Sequence, residues 1–270
     1  MSRVSDFADD RGYERFMGRW SRLLGREFVT FAGVADGERV LDVGCGTGSL
    51  AGVLLSTPIA GVVGVDPSAA FVAAARRRVS DPRARFAVGD AQRLAFPDGA
   101  FDRTMSMLVL NFVPDSAAAA AEMRRVTRPG GVAAACVWDY GGEMHMLRRF
   151  WEAANVVDPT AASRHEARMH LAGAGELATL WRQAGFEDVL EAGLTIPLRF
   201  ASFADYWEPF LAGVGPSGAY AASLGDEARA ALEARLRADL WSDRPEEPRE
   251  LPARAWAVVG RSPGAGLRTR

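Results

Sequence analysis

Cysteine is scarce in this 270-residue chain: only Cys45 and Cys136 occur, each inside an otherwise apolar stretch. That argues against a disulfide framework and against an oxidising compartment. Histidine is nearly as rare. His145, His165 and His170 share no zinc-ligand spacing with one another or with the cysteines, so no metal site is expected. No run approaches the ~20 consecutive apolar residues that a membrane-spanning helix needs. Met1 to Asp10 is polar and acidic, unlike a signal peptide. Nor does one sign of charge dominate. With 32 basic against 34 acidic side chains and a formal net charge of −2, there is no global field to draw the chain to nucleic acid or to an anionic membrane. Together these absences predict a metal-independent, cytoplasmic protein that uses neither nucleic acid nor membrane as a partner.

What is present is the composition of a globular protein, 49% hydrophobic and 24% charged. Arg11 to Phe31 reads as a helix, with Phe16, Trp20, Leu23, Leu24, Phe28 and Phe31 at helical spacing. Beyond the break at Gly33–Gly37, short apolar strands alternate with helical stretches. Strands are predicted over Arg39–Val43, Gly61–Val65, Ala84–Val88, Phe101–Leu108 and Val132–Trp138. Helices are predicted from the glycine loop to about Ser56, over Ser68–Val79 with Ser68 as its cap, and over Ser116–Val126. Such alternation implies a parallel sheet covered on both faces, with ligands bound at the carboxyl ends of its strands. Further on, Gly142–Val157, Gly175–Ala184 and Ser202–Leu240 read as helical, and Val189–Leu198 and Ala253–Val259 as extended.

The strongest local signal is Val40-Leu41-Asp42-Val43-Gly44-Cys45-Gly46-Thr47-Gly48. A buried strand enters a turn whose glycines permit positive φ and let a ligand approach the backbone, ahead of a helix with unpaired N–H groups. That suits a nucleotide or nucleoside-like cofactor, and Gly46-Thr47-Gly48-Ser49-Leu50-Ala51 even satisfies the dinucleotide pattern. Asp42 sits where dinucleotide-binding strands are usually apolar. A carboxylate there can receive a cationic amino group, or simply brace the loop. Asp66, 20 residues after Gly46 in Val65-Asp66-Pro67-Ser68, can accept both hydroxyls of a ribose. As a plain turn residue it would be explained in type but not in spacing. Asp90, in Val88-Gly89-Asp90-Ala91, ends the third strand and could accept an adenine amino group, with the Ala91 N–H donating to a ring nitrogen. Three consecutive strand ends each carrying an acid are hard to read as three unrelated surface turns.

From Arg39 to Trp138 the order and spacing of these motifs, with the Arg128-Pro129-Gly130-Gly131 turn, resemble the class I S-adenosylmethionine-dependent methyltransferases. Within that class the chain resembles the small-molecule branch that includes the ubiquinone/menaquinone-biosynthesis type. The resemblance implies an α/β fold with a Rossmann-like seven-stranded sheet, order 3-2-1-4-5-7-6 with strand 7 antiparallel, and helices on both faces. It divides the chain into N-terminal cap helices (1–36), a core (37–200 and 252–262) and a helical insertion between strands 6 and 7 (201–251) that is a possible substrate lid. It implies S-adenosyl-L-methionine as cofactor and S-adenosyl-L-homocysteine as product. Gly44, Cys45, Gly46 and Gly48 would line the methionine and ribose portion, Asp66 and Pro67 the ribose, Asp90 and Ala91 the adenine, and Met107 and Leu108 the methionine end.

Tyr13 and Trp20, in the cap, are expected as cofactor contacts through the attraction of a ring face for a sulfonium cation, although the same stripe would serve plain core packing. Methyl transfer from a sulfonium is an in-line displacement that needs chiefly positioning and exclusion of water; a base is useful only if the acceptor must lose a proton. His145, seven residues beyond the fifth strand, is the candidate base. Ser106-Met107-Leu108-Val109 lacks the Asn/Asp-Pro-Pro-aromatic motif of enzymes that methylate DNA-base amino groups, and no Pro-Cys pair is present. A small-molecule acceptor at O, N or C is the expectation. An NAD(P)-dependent oxidoreductase and a non-catalytic S-adenosylmethionine-binding protein are the alternatives.

Overall fold

Buried parallel strands read as nearly continuous apolar runs because both faces meet helices. Five parallel strands follow this pattern to different degrees, β3 at the sheet edge being the least buried: β1 (Arg39–Val43), β2 (Gly61–Asp66), β3 (Ala84–Val88), β4 (Phe101–Met107) and β5 (Thr127–Trp138). The computed structural model describes residues 12, 14–164, 169–242, 244 and 246–264. β1 pairs in parallel with β2 and β4, β2 with β3, and β4 with β5. β6 (Glu187–Phe200) and β7 (Arg249–Arg261) close the sheet as an antiparallel pair, with β7 antiparallel to β5. The seven strands lie in the order 3-2-1-4-5-7-6, as expected.

α1 (Arg19–Ala32), α2 (Ser49–Leu54), α3 (Ala69–Arg78), α4 (Ser116–Val126), α5 (His145–Val157) and α6 (Glu176–Gln183) cover the sheet. Ser68 caps α3 as the sequence predicts, its Oγ accepting the Phe71 N–H. The end of α1 is held by Arg103, an almost fully buried arginine of β4. Its guanidinium donates to the Ala32 and Gly33 carbonyls and pairs with Glu38, so the helix terminus and the buried charge satisfy each other.

Two expectations of the sequence reading are corrected. The first helix does not run unbroken from Arg11, because Glu14–Gly18 forms a wide π-helical turn before α1. In that turn the Glu14 side chain folds over Gly18, where a Cβ would overlap its carboxylate. The last two strands are also longer than expected. Pro197, inside the expected strand Val189–Leu198, and Pro252, just before the expected strand Ala253–Val259, face each other in the β6–β7 register. Two residues without an N–H can be opposed where the antiparallel ladder calls for none.

Between β6 and β7 lie α7 (Phe203–Trp207), a 3-10 turn (Glu208–Ala212), α8 (Gly215–Ser223) and α9 (Asp226–Leu240), which divide the stretch expected to be helical. Phe210 is the hub of their packing: it stacks on Phe150 of α5 at 4.4 Å and meets the edge of Phe16 at 5.1 Å. The Tyr206 hydroxyl donates to the Met146 carbonyl, tying α7 to α5. No helix among the described residues is long and apolar enough to cross a membrane.

Candidate functional site

The glycine loop leaves β1 in left-handed backbone, with φ of 76° at Gly44 and 51° at Gly46. Gly44 is required on two counts. Its φ is one that side chains avoid, and a Cβ there would overlap the Val109 side chain beyond β4. Gly46 differs: a Cβ would meet nothing within 4 Å, so its backbone faces open space. The loop is pinned to β2 by the Gly44 and Cys45 N–H groups, which donate to the Val65 carbonyl at 2.8 and 2.9 Å. Asp66 completes the fastening. Its Oδ2 accepts the Gly46 N–H at 3.0 Å and its Oδ1 the Ser68 N–H at 2.9 Å.

A cavity of about 310 Å³ opens over this loop at the carboxyl ends of β1, β2, β3 and β4. Asp42, Gly44, Cys45, Gly46, Asp66, Pro67, Asp90, Ala91, Met107 and Leu108 all stand on its wall. These residues come from four separate strand ends, and the structure brings them together. Leu108 turns off β4 with φ 65°, a costly backbone for a leucine, held by its N–H on the Cys136 carbonyl at 2.8 Å. Asp90 is exposed at the rim, where the Gln92 N–H and side-chain amide bind its carboxylate.

Three residues named from the sequence stand elsewhere. Gly48 lies just behind the wall, capping α2 and packed against Val79 and Ala75. Trp20 is buried away from the cavity, its ring edge-on to Phe200 at 5.2 Å and covered by the Arg19 guanidinium at 4.1 Å. Core packing, which produces the same helical spacing, won at that position. His145 begins α5 outside the cavity, its ring between Glu143 at 3.0 Å and Arg148 at 3.3 Å. Spacing along the chain does not say which way the first turn of α5 faces. Tyr13 lies outside the described residues.

The floor of the cavity is acidic. Asp42 is almost completely buried, and its Oδ2 has no hydrogen-bond partner. Burial, reinforced by the charge of Asp66, pushes its carboxyl up to about 7. Burial also raises Asp66, against the pull of the Ser68 and Gly46 N–H groups. Cys45 is a buried thiol raised far above its ordinary range by desolvation and by both carboxylates, so it is no nucleophile. The Ala51 N–H reaches this carboxyl, but a buried carboxylate oxygen without a partner on a cavity wall is a receptor for a cation or a further hydrogen-bond donor.

The sequence reading expects a cap (1–36) and a possible lid (201–251) but does not name the residues by which they line the cavity. Phe16, Met17 and Ser21 from the N-terminal turn and α1, Trp138, Tyr140 and Leu147 from the β5–α5 corner, and Gly215 and Pro216 from α8 also line the cavity. Glu14 locks the N-terminal turn down, pairing with Arg22 and Arg78 and accepting the Thr47 hydroxyl of the glycine loop. Burial raises the Glu14 carboxyl, but these hydrogen bonds outweigh it and leave the group below the ordinary carboxylate range. Arg19 and Asp205, 2.9 Å apart, join α1 to α7. The signal available in the sequence was only that the cap is amphipathic and aromatic.

Fold and site together define a Rossmann-like domain built to hold a nucleoside-type cofactor over a glycine loop. The antiparallel β7 in position 7-6 separates it from the all-parallel 3-2-1-4-5-6 sheet of dinucleotide enzymes. A family model described as "Methyltransferase domain" matches residues 41–135. A demethylmenaquinone methyltransferase of Roseiflexus sp. is 33% identical over 196 residues, covering 66% of this chain and 82% of that one. A 2-methyl-6-phytyl-1,4-hydroquinone methyltransferase of Synechocystis sp. is 38% identical over 117 residues, 43% of this chain and 37% of that one. Across five curated relatives, this chain spans 28 to 60% of their length. Among solved structures, a Haemonchus contortus phosphoethanolamine N-methyltransferase 2 in complex with S-adenosyl-L-methionine matches 94% of this chain and 57% of its own, with TM-score 0.59 and 17% identity. The chain belongs to the class I methyltransferase family.

Proposed function

We propose that this protein transfers a methyl group from S-adenosylmethionine to a small, largely apolar acceptor. The observation that carries the reading is the convergence of Asp42, Asp66 and Asp90, from three consecutive strands, on one cavity beside an open Gly46. The residues fit that cofactor. Asp42 offers a vacant buried carboxylate oxygen to a cationic amino group. Asp66, already anchored by two N–H groups, keeps lone pairs for two ribose hydroxyls. Asp90 and the Ala91 N–H flank the place where an adenine would lie, with Met107 and Leu108 towards the methionine end.

S-adenosylmethionine supplies an electrophilic methyl on a sulfonium, so the protein's work is to position the acceptor and exclude water. Trp138, Tyr140, Leu147, Phe16 and Met17 supply the apolar surface for that task. No Arg, His or Glu stands on the described cavity wall, and the chain has no lysine. The proton-accepting groups there are the three carboxylates, which the cofactor engages, and the Tyr140 phenol. An uncharged acceptor that needs no strong base fits this lining.

Incubation with S-adenosylmethionine and a panel of small acceptors, reading S-adenosylhomocysteine, tests the proposal. Acceptor-dependent product that disappears in Asp66→Ala supports it. Product formation unaffected by Asp66→Ala would place the chemistry elsewhere.

A further inference from the structure

The cavity wall carries three buried side-chain oxygens without partners: Asp42 Oδ2, Ser49 Oγ and Ser21 Oγ. Asp42 and Ser49 belong to the glycine loop and its helix. Ser21 comes from α1, outside the loops that usually define such a site, and is 1% exposed. A helical serine ordinarily returns its hydroxyl to the carbonyl one turn back. Ser21 makes no such bond, so a buried hydroxyl without a partner is left on a residue of the cavity wall, a cost that a ligand reaching it would remove.

Its placement follows from the helix it sits on. Met17, Ser21 and Gly25 recur at four-residue spacing, and α1 packs closely at Gly25, where a Cβ would lie 3.2 Å from Val53 Cγ2 and 3.7 Å from Met107 Sδ. α1 and α2 both run from the carboxyl ends of the strands towards their amino ends. Ser21 and Ser49, each one turn before the Gly25–Val53 contact, therefore face the same end of the cavity. Asp42 lies at the foot of the same loop.

We propose that Ser21 is a cofactor-binding residue: its hydroxyl, with that of Ser49, receives the carboxylate of the cofactor's amino-acid end while Asp42 receives the ammonium. The charge inventory requires such donors. No Arg, Lys or His lines the described wall, so an incoming carboxylate beside Asp42 depends on hydroxyl and backbone N–H groups. The consequence is that the N-terminal helix is part of the donor site as well as its roof. The inference rests on the methyl-donor reading given under Proposed function.

Calorimetry with two nucleosides tests it. S-adenosylhomocysteine carries the amino-acid end, and 5′-methylthioadenosine lacks it. Ser21→Ala is expected to weaken S-adenosylhomocysteine about tenfold and to leave methylthioadenosine unchanged, with Ser49→Ala behaving alike. Equal affinity of wild type and Ser21→Ala for S-adenosylhomocysteine overturns the assignment. So does equal weakening of both nucleosides, which would mark Ser21 as a packing residue of α1. Wild-type protein that binds neither nucleoside overturns the methyl-donor reading itself.

Discussion

The Thr47 hydroxyl donates to Glu14 Oε1 at 2.5 Å, joining the glycine loop to the turn that roofs it. Because Glu14 also pairs with Arg22 and Arg78, one half-buried carboxylate ties the N-terminal turn to α1, to α3 and to the loop that would hold the cofactor.

Removing that tie should loosen the roof. Glu14→Ala is expected to raise the dissociation rate of S-adenosylhomocysteine about tenfold, the scale of losing a charge-assisted hydrogen bond, and to lower the melting temperature by a few degrees. Thr47→Val removes the loop bond alone and should reproduce the faster dissociation with less of the thermal loss. Stopped-flow release and calorimetric melting separate the two effects.

Asp42 makes stability depend on pH. Its carboxyl is raised from 3.8 unfolded to about 7 folded, so between those values the folded state holds a proton that the unfolded state has lost. Stability then falls as pH rises through the window and levels off above it. Asp42→Asn lacks this penalty. Its melting temperature relative to wild type should climb from pH 4 to about pH 7 and stay flat beyond. A difference independent of pH would mean that Asp42 is ionised throughout.

The same carboxylate should link proton release to binding. A cation favours ionised Asp42, so wild-type affinity for S-adenosylhomocysteine should rise with pH up to about 7, and Asp42→Asn should lose that slope along with affinity. Calorimetry in buffers of different ionisation enthalpy reads the proton directly.

Gly44 faces a steric test. Gly44→Ala should unseat the loop, because its Cβ meets Val109 in a left-handed backbone. Adding Val109→Ala removes the overlap and leaves the φ strain, so the double variant should recover part of the lost ligand affinity and not all of it. Full recovery would mean that sterics alone fix the glycine.

His145→Ala should leave the affinity for S-adenosylhomocysteine and the turnover of a true acceptor within about twofold of wild type, since the ring is held by Glu143 and Arg148 off the cavity wall. A large fall in kcat at unchanged cofactor affinity would restore it as a base.

How far the sequence carried this account depended on the range of the interactions involved. Val62–Asp66 and Ala133–Trp138 are buried on both faces, so their apolar runs ended by Asp or a turn mark strands plainly. The glycine loop and the three acids follow from local backbone demands at those ends. A cap and a lid were expected, but which of their residues line the cavity did not follow. Trp20 and Phe16 share one helical stripe, yet Trp20 packs on Phe200 of β6 while Phe16 lines the cavity and touches Phe210. That division is made by β6 and the segment after it, some 180 residues away in the chain. Ser21 was equally silent, because only the packed structure shows that its hydroxyl has no partner. Pro216 reached the cavity through helices that read from sequence as one continuous stretch.

The central claim is that Asp42, Asp66 and Asp90 make this cavity a site for S-adenosylmethionine and not for a dinucleotide. Isothermal titration of the purified protein with S-adenosylhomocysteine and with NAD⁺, in parallel for wild type and Asp66→Ala, tests it most directly. The account predicts one-to-one binding of S-adenosylhomocysteine, weakened at least about tenfold by Asp66→Ala, and no heat from NAD⁺. Binding of NAD⁺ without binding of S-adenosylhomocysteine would contradict it.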